Sequence, residues 1–480
     1  MKKSFLFLCI LLSGVVNAQK RDTVYADFPK DFQMKVNLRH DYTKTFVTKI
    51  FMSQALFDGR FKHRDNGKQT VYATCEQTLQ LLKGMDNITL GMPKIAYLVG
   101  WQYNGHDSKY PAFFEGNEAL KRPNDKNGLE SIRWLMAEGK KYNTTVSLHI
   151  NMIDTYEDSP LWNKYIANDV IARDERGFLR GGEWGYQISY AQEWAKGFTQ
   201  QRIDSLCKLL PIQDAGTIHI DAFHTAAPIA YKDEKGEWQI RTQSPISSYL
   251  PYTQEDELEA QRNIFRYFDS KGIDVTNEGL PDNTDLFIGY QPMVWWFGHD
   301  EIYLKYPASI ICGGNNADSD WGVLFGNNLN GEKVFMKGLD NYSEFTRRFC
   351  TMTAVCNYLN RFERLYRVEG ENYKAVQFSG NVHSELDKGH LQIRQGNAVL
   401  ADNNNVMVPA LWIEGNHMIA YSQDGYKEKI WTLPSGYPVS GKVSIYAVNE
   451  SGRIYKGKLK YSSGKLKLRV DAGEMLLLSF

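Results

Sequence analysis

The sequence predicts an α/β fold, a (β/α)8 TIM-type barrel followed by a C-terminal antiparallel β-sandwich domain. Three observations carry that expectation. From Phe46 to about residue 280, short apolar runs alternate with amphipathic helical segments; two of those runs end on carboxylates; and after Gly370 helical periodicity gives way to short alternating runs broken by Gly, Asn and Asp. Strands alternating with helices require right-handed crossovers and build a parallel sheet, whereas closely spaced alternating runs build antiparallel hairpins.

In chain order, residues 1–18 have the layout of a signal peptide: Lys2 and Lys3, an apolar stretch from Phe5 to Leu12 continued by Val15 and Val16, then Val16-Asn17-Ala18. Cleavage near Ala18 would export the chain to the periplasm or the medium. Cys9 lies within the apolar stretch rather than after it, which argues against a lipidated cysteine. No later apolar run is long enough to span a bilayer, so no membrane insertion is expected. Five cysteines remain, an odd number that does not read as a disulfide framework. Cys350 and Cys356 either pair or stay as two buried thiols.

Residues 19–44 are a polar lead-in, and 45–369 hold the β/α series. Strands are expected at Phe46–Ser53, Ile95–Val99, Thr145–Ile150 with Asn151 at its end, Thr217–Asp221 and Ile273–Glu278. Helices are expected at Thr74–Lys83, Leu129–Tyr142, Ala191–Leu210 and Gln254–Lys271. Leu286–Gly289, Pro292–Trp296 and Ser309–Cys312 are further strand candidates that would close the barrel, and Tyr342–Tyr366 reads as mostly helical. A doubly wound sheet is the rival, but no Gly-rich phosphate turn follows the first strand. The β-sandwich is placed at 370–480, with strands from Val406 to Phe480.

The charge balance, 56 basic against 56 acidic residues, excludes the basic excess of nucleic-acid or anionic-membrane partners and points to a neutral substrate. The chain has no P-loop, no Gly-x-Ser-x-Gly elbow and no His-Glu-x-x-His, so neither a nucleotide, nor a metal, nor another cofactor is expected. Asn315–Asp320 is oxygen-rich but lacks the glycine and distal glutamate of a calcium loop, and reads as a solvated turn.

Chemistry in a (β/α) barrel sits where strands end. Asp107, Asn151, Asp221 and Glu278 occupy such positions, and carboxyls on successive strands suit glycoside cleavage, which needs one to attack and one to protonate the leaving oxygen. Asp274 competes with Glu278 but starts its strand. Aromatic residues that could stack on sugar faces include Trp101, Tyr103, Trp184, Tyr186, Trp295, Trp296 and Phe297. His106, His149, His219 and His224 fall near the expected mouth.

Phe51-Met52-Ser53-Gln54, Ile95 to Trp101 running into Gly105-His106-Asp107-Ser108, His149-Ile150-Asn151 with Thr155-Tyr156, Ile220-Asp221 and Thr276-Asn277-Glu278 occur in an order that resembles the endo-α-N-acetylgalactosaminidases of glycoside hydrolase family 101. More distantly, the chain is similar to the family 129 α-N-acetylgalactosaminidases. The resemblance implies a retaining α-glycosidase acting on α-linked N-acetylgalactosamine of mucin-type O-glycans, with Asp221 as nucleophile and Glu278 as acid/base. It further implies that Asp107 grips sugar hydroxyls, supported by His106 and Asn151. Trp101, His224 and Trp295, by their places near the expected mouth, are the further candidates for binding the sugar. A galactose-specific retaining hydrolase and a non-catalytic carbohydrate-binding barrel are the alternative readings.

Overall fold

The computed structural model describes residues 21–59, 62–173, 176–182, 184–223, 228–232, 238–242, 250–278, 288–295, 301–313, 320–327, 330–331 and 334–480. The expected signal peptide, His224, Trp296, Phe297 and most of the Asn315–Asp320 turn lie outside these residues.

Two sheets dominate. The first contains seven parallel strands, β1 (Phe46–Phe51), β2 (Lys94–Val99), β3 (Thr144–Asn151), β4 (Thr217–Asp221), β5 (Asp274–Glu278), β6 (Val294–Trp295) and β7 (Asn330–Gly331), in the order β6-β5-β4-β3-β2-β1-β7. β2 is buried along its whole length and β1 nearly so, as expected for strands covered on both faces.

Helices α1 (Cys75–Thr89), α2 (Gly128–Gly139), α3 (Phe198–Leu209) and α4 (Gln254–Ser270) supply outer cover through buried stripes such as Leu258, Ile264, Phe265 and Phe268 on α4. Their starts are chemically marked. Thr74 and Gln77 form a reciprocal capping box on α1, Thr253 and Asp256 another on α4, and Asn127 caps α2.

The single helix expected over Ala191–Leu210 is two. Tyr190–Ala195 stops at Lys196, and Gly197, with φ +70°, turns the chain into α3. Ser309–Cys312 is a turn rather than a strand, although the Cys312 amide still donates to Pro292 O beside β6 at 2.9 Å.

The second sheet is an antiparallel meander of β8 (Arg364–Gly370), β9 (Tyr373–Phe378), β10 (Val382–Asp387), β11 (His390–Gln395), β12 (Ala398–Asp402), β13 (Asn405–Pro409) and β14 (His417–Ser422). A ribbon strand β15 (Tyr426–Thr432) follows, then β16 (Gly441–Asn449), β17 (Gly452–Tyr461), β18 (Lys465–Val470) and β19 (Met475–Ser479). Strands β8 to β14 neighbour one another in sequence order and are followed in the sheet by β19, β16 and β17, while β15 pairs with β18 as a separate ribbon. The β10–β11 turn places Lys388 at φ +50° and Gly389 at φ +82°, the two positive φ values of a type I′ hairpin. A strand from the lead-in, Asp22–Tyr25, adds to the β8 edge. The chain is thus a mixed α/β protein with a parallel sheet and a large antiparallel sheet sharing one continuous core.

The parallel sheet is strongly curled. Lys49 of β1 forms an ion pair with Glu278 of β5, and Tyr97 of β2 reaches Thr217 of β4 at 2.6 Å between hydroxyl oxygens. Strands β2, β3 and β4 lie between β1 and β5, so only a sheet bent toward a barrel lets these side chains meet.

The turn leaving β2 shows how tightly this curvature is fixed. Gly100 sits at φ +77°, and a Cβ there would lie 1.9 Å from Ser53 O. Gly100→Ala combines left-handed strain with a backbone clash and is expected to cost about 2–4 kcal/mol; urea unfolding with an unchanged midpoint would refute this account of the turn.

Candidate active site

Side chains alternate along each parallel strand, so one set from each points to the concave interior. Lys49, Tyr97, His149, Thr217, His219, Asp221, Thr276, Glu278 and Trp295 form that set, as their mutual contacts establish. Low in the interior, the hydroxyls of Tyr42 and Tyr97 both meet Thr217 Oγ1, at 2.8 and 2.6 Å. Above them the ring of His219 packs 5.0 Å from His149 and 4.8 Å from Trp295, and its Nδ1 lies 2.8 Å from Thr276 Oγ1. The carboxyls of Asp221 and Glu278 lie higher still, at the strand ends.

Asp221 and Glu278 end adjacent, in-register strands, and each perturbs the ionisation of the other through its charge and a carboxyl–carboxyl hydrogen bond. Two carboxyls can meet in this way only by sharing a proton. Burial pushes the Asp221 carboxyl well above the usual carboxylate range, helped by the Glu278 charge and hydrogen bond and by the charge of Asp107. Burial is the largest single influence on Glu278 and would raise it, but the Lys49 ammonium, the hydrogen bond from Asp221 and smaller contributions together outweigh it and hold Glu278 well below its ordinary value. Both imidazoles are held well below theirs, His149 by burial and then the charge of Lys49, His219 likewise. They are therefore neutral.

Asn151, paired in register with Asp221, is an oriented donor. Its Oδ1 accepts from the amides of Ile153 and Asp154, at 2.9 and 2.8 Å, which leaves Nδ2 to donate to Asp154 Oδ2 at 2.7 Å and Asp221 Oδ2 at 3.3 Å. The Asp154 carboxyl is pushed up to about 7 by burial and the Asp107 charge, against the hydrogen bond from Asn151.

His106 and Asp107 arrive on the loop after β2. A hairpin beyond β1, Ser53–Phe57 with Asp65–Val71, clamps this loop: His106 N donates to Ser53 O and Ala55 N donates to His106 O, each at 3.1 Å. Asp107 is 3% exposed, with one oxygen 3.1 Å from Lys62 Nζ and the other 3.4 Å from His106 Nε2. Tyr103, Asp107 and Lys109 here, and Ala222 directly after Asp221, all have positive φ. Such conformations cost non-glycine residues on the order of 1–2 kcal/mol each and persist where surrounding contacts over-determine them.

The structure thus brings together Asp221, Glu278, Asn151, His106 and Asp107. It corrects the expectation for Trp101, which is fully buried, stacks on Phe113 and donates its indole N–H to His149 O at 3.0 Å; the ring braces β3 from behind and offers no face to a ligand. Trp295 is also buried, with its ring 4.8 Å from Lys49 Nζ, in the interior floor. Lys49, Asp154 and Lys62 went unnoticed in the sequence. A lysine inside the apolar run Phe46–Phe51 was the available signal, because a buried ammonium requires an anionic partner.

Two sets of donors, His106 with His149 and Asp221, and His149 with His219 and Glu278, cluster within 4.8 Å. That spacing suits a cation, but the Lys49 ammonium is already bonded to Glu278 and supplies the positive charge there.

A curled parallel sheet presenting two carboxyls at the C-terminal ends of adjacent strands is a glycoside hydrolase arrangement. Residues 69–244 match the model of glycoside hydrolase family 101, described as endo-alpha-N-acetylgalactosaminidase, so the resemblance read from the motifs stands over that part of the chain. The match includes Asp107, Asn151 and Asp221 and ends before Glu278. Among solved structures, the alpha-N-acetylgalactosaminidase NagBb from Bifidobacterium bifidum in its GalNAc complex is similar in fold, with TM-score 0.51 and 10% identity over 74% of this chain and 58% of that one. Its quadruple mutant gives 0.50 and 10% over 73% and 57%. The chain thus spans less than two thirds of those proteins. A comparison with curated proteins gives no match.

The buried neutral imidazoles carry a pH signature. Their folded-state values lie below the ordinary 6.5, so the stability they contribute is fully present above that pH and is lost as pH falls below it, when the unfolded chain binds protons that the folded one does not. His219→Asn, which keeps a polar atom near Thr276, is expected to remove about 1.4 kcal/mol per pH unit of this acid sensitivity below about pH 6.5. Urea titrations between pH 7.5 and 5 read the difference, and parallel stability curves for the two proteins would contradict the assignment.

Proposed function

We propose that this chain is an exported retaining α-glycosidase that hydrolyses α-linked N-acetylgalactosamine of mucin-type O-glycans. The observation that carries the reading is the meeting of Asp221 and Glu278 at the ends of β4 and β5, within a chain whose family match covers the first of them. The full eight-stranded barrel belongs to the same proposal and is supported by the cross-sheet contact of Lys49 with Glu278. Export rests on Lys2, Lys3 and the apolar stretch ending at Ala18; among the described residues no helix is long and apolar enough to cross a membrane.

In this reading the Asp221 carboxylate attacks the anomeric carbon while Glu278 protonates the departing glycosidic oxygen. Glu278 then removes a proton from water as that water displaces Asp221 from the glycosyl ester, and the anomeric configuration is retained. A retaining pair stands about 5–5.5 Å apart around its sugar, so a bound sugar would part the two carboxyls that touch in the free site. Asn151 donates to Asp221, which favours its ionised form. Asp107 and His106, fixed by the clamped loop, would take sugar hydroxyls.

Incubation with p-nitrophenyl α-N-acetylgalactosaminide, the matching α-galactoside and a core-1 disaccharide glycoside, with product anomers followed by NMR, tests sugar, bond and stereochemistry together. We expect the α-anomer first, and Asp221→Ala or Glu278→Gln to reduce turnover at least about a thousand-fold with the circular dichroism spectrum unchanged. Wild-type rates in either variant, or release of the β-anomer, would sink the reading.

A further inference from the structure

The proton shared by the two carboxyls has to reside on one of them, and the surroundings of each decide which. Lys49 is the relevant group. Its side chain is completely buried, it extends from the middle of β1 into the interior, and its ammonium is in contact with Glu278 and lies 4.8 Å from the Trp295 ring. The other groups lining this space on β3 and β4, His149 and His219, are neutral imidazoles. A buried ammonium facing a protonated acid would be an uncompensated charge, one of the costliest arrangements in a protein interior. Asp221 has no ammonium in contact: the Asn151 amide donates to it at 3.3 Å, which favours a carboxylate less than a contacting cation does, and the neutral ring of His149 lies at 3.7 Å. The charge of Asp107 also favours a neutral Asp221, while Asp107 itself is paired with Lys62 at 3.1 Å.

We propose that Lys49 is a positioning residue that keeps Glu278 as the carboxylate of the pair and leaves the shared proton on Asp221 while the site holds no sugar. The inference rests on the glycosidase reading for its consequence and on the ion pair for its substance. An entering sugar would have to transfer that proton from Asp221 to Glu278 before bond cleavage. Lys49 then opposes the acid role of Glu278 in the first step and supports its base role in the second, when Glu278 receives the proton of the attacking water.

Infrared spectroscopy of the substrate-free full chain at neutral pH tests this directly, using aspartate or glutamate labelled with 13C at the carboxyl. Subtracting the Asp221→Asn spectrum removes other buried acids such as Asp154 and Glu257. In the wild-type difference, the protonated-carboxyl band is expected to move with labelled aspartate and not with labelled glutamate. Lys49→Arg is expected to preserve that behaviour, and Lys49→Met or Lys49→Gln, the second serving if the first fails to fold, to add a component that moves with labelled glutamate. A glutamate component in the wild type, or an aspartate-only band in both neutral Lys49 variants, would overturn the proposal. Failure of the glycosidase reading is separately visible as absence of turnover of every α-glycoside by the wild-type protein, an outcome that leaves the infrared result standing.

Discussion

The buried ion pair between Lys49 and Glu278 ties together the fold and the site. It joins β1 to β5 across a sheet in which three strands separate them, so it can form only when the sheet is curled, and breaking it would leave a buried charge unmatched. It also fixes the electrostatics of the interior. One ammonium, two carboxylates sharing one proton and two neutral imidazoles sum to no net charge there, which lets so many polar groups be buried side by side. Tyr97, Thr217, Thr276 and Asn151 supply the remaining hydrogen bonds from β2, β4, β5 and β3.

Much of the fold was legible because parallel strands covered on both faces are written as apolar runs. β2 and β4 read directly, and the helices were marked by caps such as Thr74 and Thr253. The hairpins of the second sheet were visible through the Gly and Asn residues that tolerate positive φ. Illegible features depended on distant partners. Asp22–Tyr25 is exposed throughout and becomes a strand only because the edge of β8, more than three hundred residues later, receives it. The helix break at Gly197 was hidden because a single glycine is compatible with a continuous helical pattern.

For the site, strand-end position was the informative signal and residue type a poor one. Asp221, Glu278 and Asn151 were singled out because an acid or amide terminating a buried strand lies at the open end of the sheet, and the structure brings the three together there. Trp101 was misjudged for the complementary reason: an aromatic ring near a strand end fits the wall as well as the mouth, and the local sequence does not say which way it turns. Lys49 was the reverse case, a charge in an apolar strand whose two-residue alternation from Val47 places it inward.

The two carboxyls are held by different means, and that difference bears on how the site opens. Asp221 is held by Asn151, whose amide is pinned by two backbone N–H groups and cannot turn without losing both. Glu278 is held by the end of a long lysine side chain, whose torsions can change while β1 stays in place. If the proposed glycosidase reading holds, separation of the pair around a sugar would fall to Glu278 and Lys49 rather than to Asp221. Such a division would suit the proposed two-step displacement, in which the attacking oxygen returns to one position while the acid/base serves both the leaving oxygen and the incoming water.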